Sequence, residues 1–155
     1  LLGIQSVDET ALLNEELRKL EDEAIIYCSH KGKYIRVAPG GMNEAPTIFK
    51  HNGTYWMITS GCTGWEPNAA RMFSAPTIWG PWTQHDNPCV GENSEITFGA
   101  QGTFVLPVKG RKDAFLFMAD IWRPKCPSDS RYLWLPITFT PEGKPVLSRS
   151  TTELN

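Results

Sequence analysis

Glu44 stands in the run Asn43-Glu44-Ala45-Pro46, and the residues after it turn the chain back on itself. Thr47 to Phe49 and Thr54 to Thr59 are β-prone runs that flank His51-Asn52-Gly53, and Asn-Gly tolerates the positive φ angles of a two-residue turn. Two antiparallel strands return the chain to its starting point. The spacing therefore predicts a hairpin whose open end brings the Glu44 carboxyl beside the loop Gly61-Cys62-Thr63-Gly64-Trp65. A carboxyl able to pass a proton, next to an aromatic ring on which the apolar face of a sugar can stack, is how a carbohydrate site is built. A second run, Gly99-Ala100-Gln101-Gly102, carries an amide among small residues that leave a ligand room to approach the backbone.

Around these residues the pattern is of short strands. Residues 8–23 read as an amphipathic helix, with Ala11, Leu12, Leu13, Leu17 and Leu20 on one side and charged residues on the other, capped by Asp8 or Thr10. After Ile25, β-prone runs follow at 25–29, 34–37, 47–49, 55–59, 71–74, 103–108, 114–119, 132–139 and 145–147. Turn signals such as Pro39-Gly40-Gly41, Asn52-Gly53, Gly80-Pro81, Lys109-Gly110 and Glu142-Gly143 separate them. Many short antiparallel strands at this spacing make an all-β sandwich, barrel or propeller, and composition does not choose among the three.

The chain has 155 residues, 41% hydrophobic and 21% charged, enough for one sizeable core. Its net charge of −2 gives no long-range attraction for nucleic acid or an anionic membrane, and no run of about 18 apolar residues exists to span a bilayer. Because it begins Leu1-Leu2-Gly3, with no basic segment and apolar stretch ahead of the fold, the chain reads as mature, trimmed or partial. Cys28, Cys62, Cys89 and Cys126 are scattered, permit three complete pairings, select none, and read as buried free thiols. His30, His51 and His85 lie in turn-rich polar contexts and read as surface residues rather than metal ligands. Asp86-Asn87-Pro88 and Glu92-Asn93-Ser94-Glu95 are acidic but lack the regular spacing of a calcium loop. No cofactor and no metal are expected.

Glu44-Ala45-Pro46, the run Tyr55 to Trp65, Gly99-Ala100-Gln101-Gly102-Thr103-Phe104-Val105 and Ser128-Asp129-Ser130-Arg131-Tyr132-Leu133-Trp134-Leu135-Pro136 occur in the order of a known family. Over about residues 33–147 the chain resembles glycoside hydrolase family 43, and within it the exo-β-1,3-galactanase branch. The resemblance implies a five-bladed β-propeller. At roughly 40 to 50 residues per four-stranded blade, this length supplies about three blades. The implied architecture is a partial five-bladed propeller, residues 25–155 forming blades behind an atypical helical lead-in over 1–24. Blades outside this chain are an implied partner, because an unclosed ring leaves two apolar faces that the lead-in helix covers only in part.

The resemblance also assigns chemistry. Enzymes of the family invert the anomeric carbon: a carboxylic acid protonates the leaving oxygen while a group across the sugar activates water, the two standing about 6.5 to 9.5 Å apart. Glu44 matches the general acid, which must hold its proton until the reaction, as burial or a neighbouring carboxylate favours. The usual base is an aspartate near the start of the first blade, a region this chain does not include. The galactanase branch sets a glutamine on the water side instead, and Gln101 matches it, holding and polarising water. Thr63 and Trp65 match the wall of a sugar subsite, and Asn68, Arg71, Asp120 and Trp122 are further candidates to reach sugar hydroxyls. Ile121 replaces an arginine usual between the last two. Asp129 and Arg131 read as an ion pair or turn device. The implied activity is release of galactose from β-1,3-galactan, the backbone of arabinogalactan, by an extracellular enzyme. A non-catalytic carbohydrate-binding remnant is the alternative of a different class. A family member acting on arabinan or xylan is another, against which Gly61 to Trp65 together with Gln101 argues.

Overall fold

Asn52 and Gly53 adopt φ of +46° and +81°, so the hairpin turn has the two left-handed residues that its sequence requires. In this computed structural model, which describes residues 24–27 and 34–149, the turn joins β3 (Asn43–His51) to β4 (Thr54–Gly61). The helix expected over 8–23 lies outside the described residues. The chain divides into two compact units, Leu1–Asn43 and Glu44–Asn155. The first contains an antiparallel strand pair, β1 (Ala24–Tyr27) with β2 (Tyr34–Val37), whose backbone register sets Tyr27 opposite Tyr34.

The second unit is built from two sheets. In one, β3 and β4 continue into β5 (Arg71–Ala75) and β6 (Thr83–His85), each strand beside its sequence neighbour. In the other, β8 (Gln101–Pro107), β9 (Phe115–Ile121), β10 (Arg131–Phe139) and β11 (Pro145–Ser148) do the same, and β7 (Cys89–Val90) adds a parallel edge against β11. Sequence patterning locates nine of these eleven strands and misses β6 and β7. Both are too short to alternate, and β6 is an exposed edge with no apolar residue in Thr83-Gln84-His85.

The core lies between the sheets, where Phe49, Trp56, Ile58 and Met72 meet Val105, Phe117, Leu133, Leu135 and Ile137. Strand β10 shows the cause: Leu133, Leu135 and Ile137 are buried while Tyr132, Trp134, Pro136 and Thr138 face out, the two-residue period of a sheet with one covered face. Strand β4 breaks that rule, since every residue from Trp56 to Gly61 is buried.

Three expectations are corrected here. His51 is not a surface residue: it is 6% exposed and stacks on Phe139 at 3.7 Å and 15°, with its Nδ1 3.4 Å from Asp113 Oδ1. The alternation Thr47, Phe49, His51 carries it to the core face of β3. His85 is half-buried, its Nε2 hydrogen-bonded to Ser74 Oγ at 2.6 Å. Of the described cysteines only Cys89 is buried, and desolvation pushes its thiol up to about 12 against a lesser opposing bond from Thr97. Cys62 and Cys126 are exposed. The pairing of Asp129 with Arg131 is present, and Arg123 joins it.

Candidate active site

Glu44 and Gln101, 57 residues apart, meet at the edge of the two sheets: Gln101 Nε2 donates to Glu44 Oε1 at 2.8 Å. Glu44 lies near the start of β3, and the next residue, Ala45, sits at φ +51°, a left-handed conformation unusual for an L-residue with a Cβ. That kink, just ahead of Pro46, sets the direction in which the carboxyl leaves the strand. Gln101 opens β8 opposite Asp120 of β9, and a bulge between Gly102 and Phe104 follows at once. Such a bulge re-aims the side chains beside it.

Of the small residues around Gln101, Gly99 and Ala100 line the cleft, whereas Gly102 serves packing. A Cβ on Gly102 would lie 2.8 Å from the ring of Phe117, which is wholly buried, so this glycine lets β8 press against the core. Ala100 is likewise buried in the core cluster. The expectation that Gly102 leaves room for a ligand is thus corrected.

The β4–β5 loop closes the other wall. The Asn68 side chain imitates a strand partner: Gly61 N–H donates to its Oδ1 at 2.7 Å, and its Nδ2 donates to Gly61 O at 3.0 Å and to Thr63 Oγ1 at 2.7 Å. Thr63 Oγ1 in turn donates to Glu66 O at 2.6 Å. The Thr97 hydroxyl donates to Asn68 O at 2.7 Å and ties this loop to the approach to β8. The Thr63 hydroxyl and the Asn68 amide are thus occupied within the loop. Arg71, at the start of β5, lays its guanidinium against Gly61, where a Cβ would meet Nη2 at 2.9 Å.

These elements enclose a cleft of about 630 Å³ lined by Glu44, Ser60, Trp65, Asn68, Gln101, Asp120 and Trp122, among others. That volume lies within the range of about 300 to 1,000 Å³ usual for small-ligand sites. Trp65 is 68% exposed and so is no core residue. Its ring lies 5.5 Å from that of Trp122 at 31°, and the two make an aromatic ledge drawn from both sheets. Glu66 adds a third carboxylate to Glu44 and Asp120, and neither lysine nor arginine is among the described lining residues. A neutral ligand suits that electrostatic balance better than an anion. Among the described residues no group of three or more His, Cys, Asp or Glu could hold a metal ion.

Sequence reasoning missed Ser60. Gln101 Nε2 also donates to its Oγ at 2.7 Å, and the side chain is 7% exposed. The available signal was a hydroxyl inside a buried strand, because buried polar groups nearly always have a partner.

The profile described as glycosyl hydrolases family 43 matches residues 8–145. The chain belongs to this family. Its two sheets, β3 to β6 and β8 to β11, are blades of the family's five-bladed propeller, and the described residues hold these two together with the β1–β2 strand pair. Among solved structures of the family, the chain is 57% identical to the β-1,3-galactosidase BT3683 solved with galactodeoxynojirimycin, over 80% of this chain and 36% of that one, at a TM-score of 0.76. It is 32% identical to the exo-β-1,3-galactanase 1,3Gal43A from Clostridium thermocellum, over 74% and 28% of the two chains, at a TM-score of 0.62. It is 29% identical to the exo-β-1,3-galactanase from Phanerochaete chrysosporium solved with galactose, over 81% and 35%, at a TM-score of 0.63. The chain thus spans about a third of the length of these relatives. No curated protein matches it.

Proposed function

We propose that the protein is an inverting glycosidase that removes galactose from the non-reducing end of β-1,3-galactan, the backbone of arabinogalactan. The observation that carries this reading is the convergence of Glu44 and Gln101 in one cleft, beside an aromatic ledge. The identity to a β-1,3-galactosidase directs it to galactose. Glu44 delivers a proton to the glycosidic oxygen, and Gln101 holds the water that attacks the anomeric carbon from the far side. Trp65 and Trp122 stack on the sugar and Asp120 binds its hydroxyls, with Asn68 and Thr63 bracing the loop that carries Trp65. The contact of 2.8 Å between Gln101 and Glu44 is far shorter than the separation an inverting pair needs, about 6.5 to 9.5 Å, so a pyranose ring enters between them only when this bond opens. A polymeric substrate implies action outside the cell, and the remaining blades of the ring complete the subsite wall.

The test is incubation of the purified protein with β-1,3-galactobiose, followed by proton NMR of the sugar released. Early appearance of the α-anomer of galactose supports inversion, and early β-anomer overturns it. Glu44→Gln is expected to lower kcat by about 10²- to 10⁴-fold, the usual contribution of a general acid, with sugar binding retained. A variant keeping most of its activity removes Glu44 from the mechanism. Gln101→Ala should lower kcat more than it raises KM.

One observation favours a second reading, carbohydrate binding without catalysis: Gln101 is bonded directly to Glu44 at 2.8 Å, far inside the separation an inverting pair needs, about 6.5 to 9.5 Å. Binding of galactobiose without release would establish that reading. Release of arabinose or xylose, with galactan untouched, would instead move the chain to another specificity.

A further inference from the structure

Gln101 spends both hydrogens of its amide on the protein, one on Glu44 Oε1 at 2.8 Å and one on Ser60 Oγ at 2.7 Å. Its carbonyl oxygen has no hydrogen bond to any described residue, although the side chain lines the cleft. The two bonds have different fates. The one to Glu44 spans the space a sugar ring must occupy, whereas the one to Ser60 runs to the buried end of β4 and can persist when the cleft is filled. An amide held by neither bond is free to turn about its terminal torsion, which is roughly two-fold, and would present N–H or C=O to the cleft without preference. Only the C=O face can accept a hydrogen from an attacking water.

We propose that Ser60 is a positioning residue: its buried hydroxyl keeps one amide hydrogen of Gln101 while the bond to Glu44 opens, so that the carbonyl oxygen stays turned toward the water. This rests on the assignment of Gln101 to the water side. It adds a requirement that the sequence motifs do not contain, a hydroxyl at the last buried side chain of β4.

The experiment is a double-mutant cycle of Ser60→Ala and Gln101→Ala on galactobiose, with side-chain amide NMR of the same proteins. Ser60→Ala is expected to lower kcat about 10- to 100-fold, the cost of a loosely held catalytic group, with KM changed less than about 3-fold. In the Gln101→Ala background the same substitution is expected to change kcat less than about 2-fold, because its effect passes through the amide. An equal loss in both backgrounds overturns the proposal, since a merely structural hydroxyl would act in either. In the NMR spectrum of the protein without sugar, Ser60→Ala should shift one Gln101 amide hydrogen and speed its exchange; unchanged signals overturn the proposal as well. If the parent protein releases no galactose, the glycosidase reading fails on that result alone. Ser60 is then judged by the amide signals, read with galactose added.

Discussion

Ala45 decides where the Glu44 carboxyl points. At φ +51° an alanine is held in a conformation that costs L-residues about 1 to 2 kcal/mol. Ala45→Gly relieves that strain but adds freedom to the unfolded chain, worth roughly 0.5 to 1 kcal/mol in the opposite sense, so stability in urea should change by no more than about 1 kcal/mol. Ala45→Val puts a β-branched side chain into the same conformation. It should destabilise by more than about 1 kcal/mol and lower kcat with it, as the carboxyl loses its aim. Equal stability of the two variants would show that the backbone here is not under constraint. At this scale the sequence was informative about Glu44, because the residues that place it are its neighbours in the chain. It offered for Ser60 only a hydroxyl in an apolar strand and not its partner, a glutamine 41 residues away.

Strands β8 and β9 meet at Gly102, where the ring of Phe117 occupies the space a side chain would need. Gly102→Ala is therefore expected to destabilise the protein by about 1 to 3 kcal/mol, the usual range for overpacking a core. It should also displace the adjacent Gln101 and depress kcat. A stable variant with normal turnover would mean that Phe117 can give way.

On the outer sheet edge, burial and then the Lys144 cation outweigh Asp86 and hold the His85 imidazole below its usual 6.5. An unfolded chain takes up that proton near 6.5 while the folded one does not, so the unfolded state binds more protons in the window just beneath. Stability from this residue is complete above 6.5 and declines as pH falls below it. His85→Gln should flatten the dependence of unfolding free energy on pH between about pH 7 and pH 5, measured by denaturant titration. An identical slope would exclude His85 as its source. The strand pair at issue, β5 with β6, is also where patterning failed, for three exposed or half-exposed polar residues carry no period.

The second sheet has two faces, and one of them packs on nothing described. Phe104 and Leu106 of β8, Met118 of β9 and Trp134 of β10 lie side by side, with Phe104 and Trp134 each more than half exposed. Contiguous apolar surface of this kind marks a place where another element docks. In a ring of five blades that element is the next four-stranded sheet, and none of the described residues covers Phe104 or Trp134. The chain studied alone should therefore self-associate as its concentration rises in sedimentation velocity, and Phe104→Lys with Trp134→Lys should restore a monomer. A parent chain that stays monomeric at high concentration would indicate that this face tolerates water.

The sequence by itself determined what is local. Asn52-Gly53 set the β3–β4 hairpin, alternation in β10 separated its core face from its outer face, and the motifs around Glu44 and Gln101 marked the family. A period of two reports whether a side chain points in or out, but not which strand receives it. Where both faces of a strand are covered, as in β4, even that information is lost. Tertiary structure alone decided that Ser60, Gln101 and Glu44 form one hydrogen-bonded group, that Gly102 makes way for Phe117, and that His51 lies under Phe139. Each of these depends on the distance between strands far apart in the chain, a distance set by how the two sheets pack.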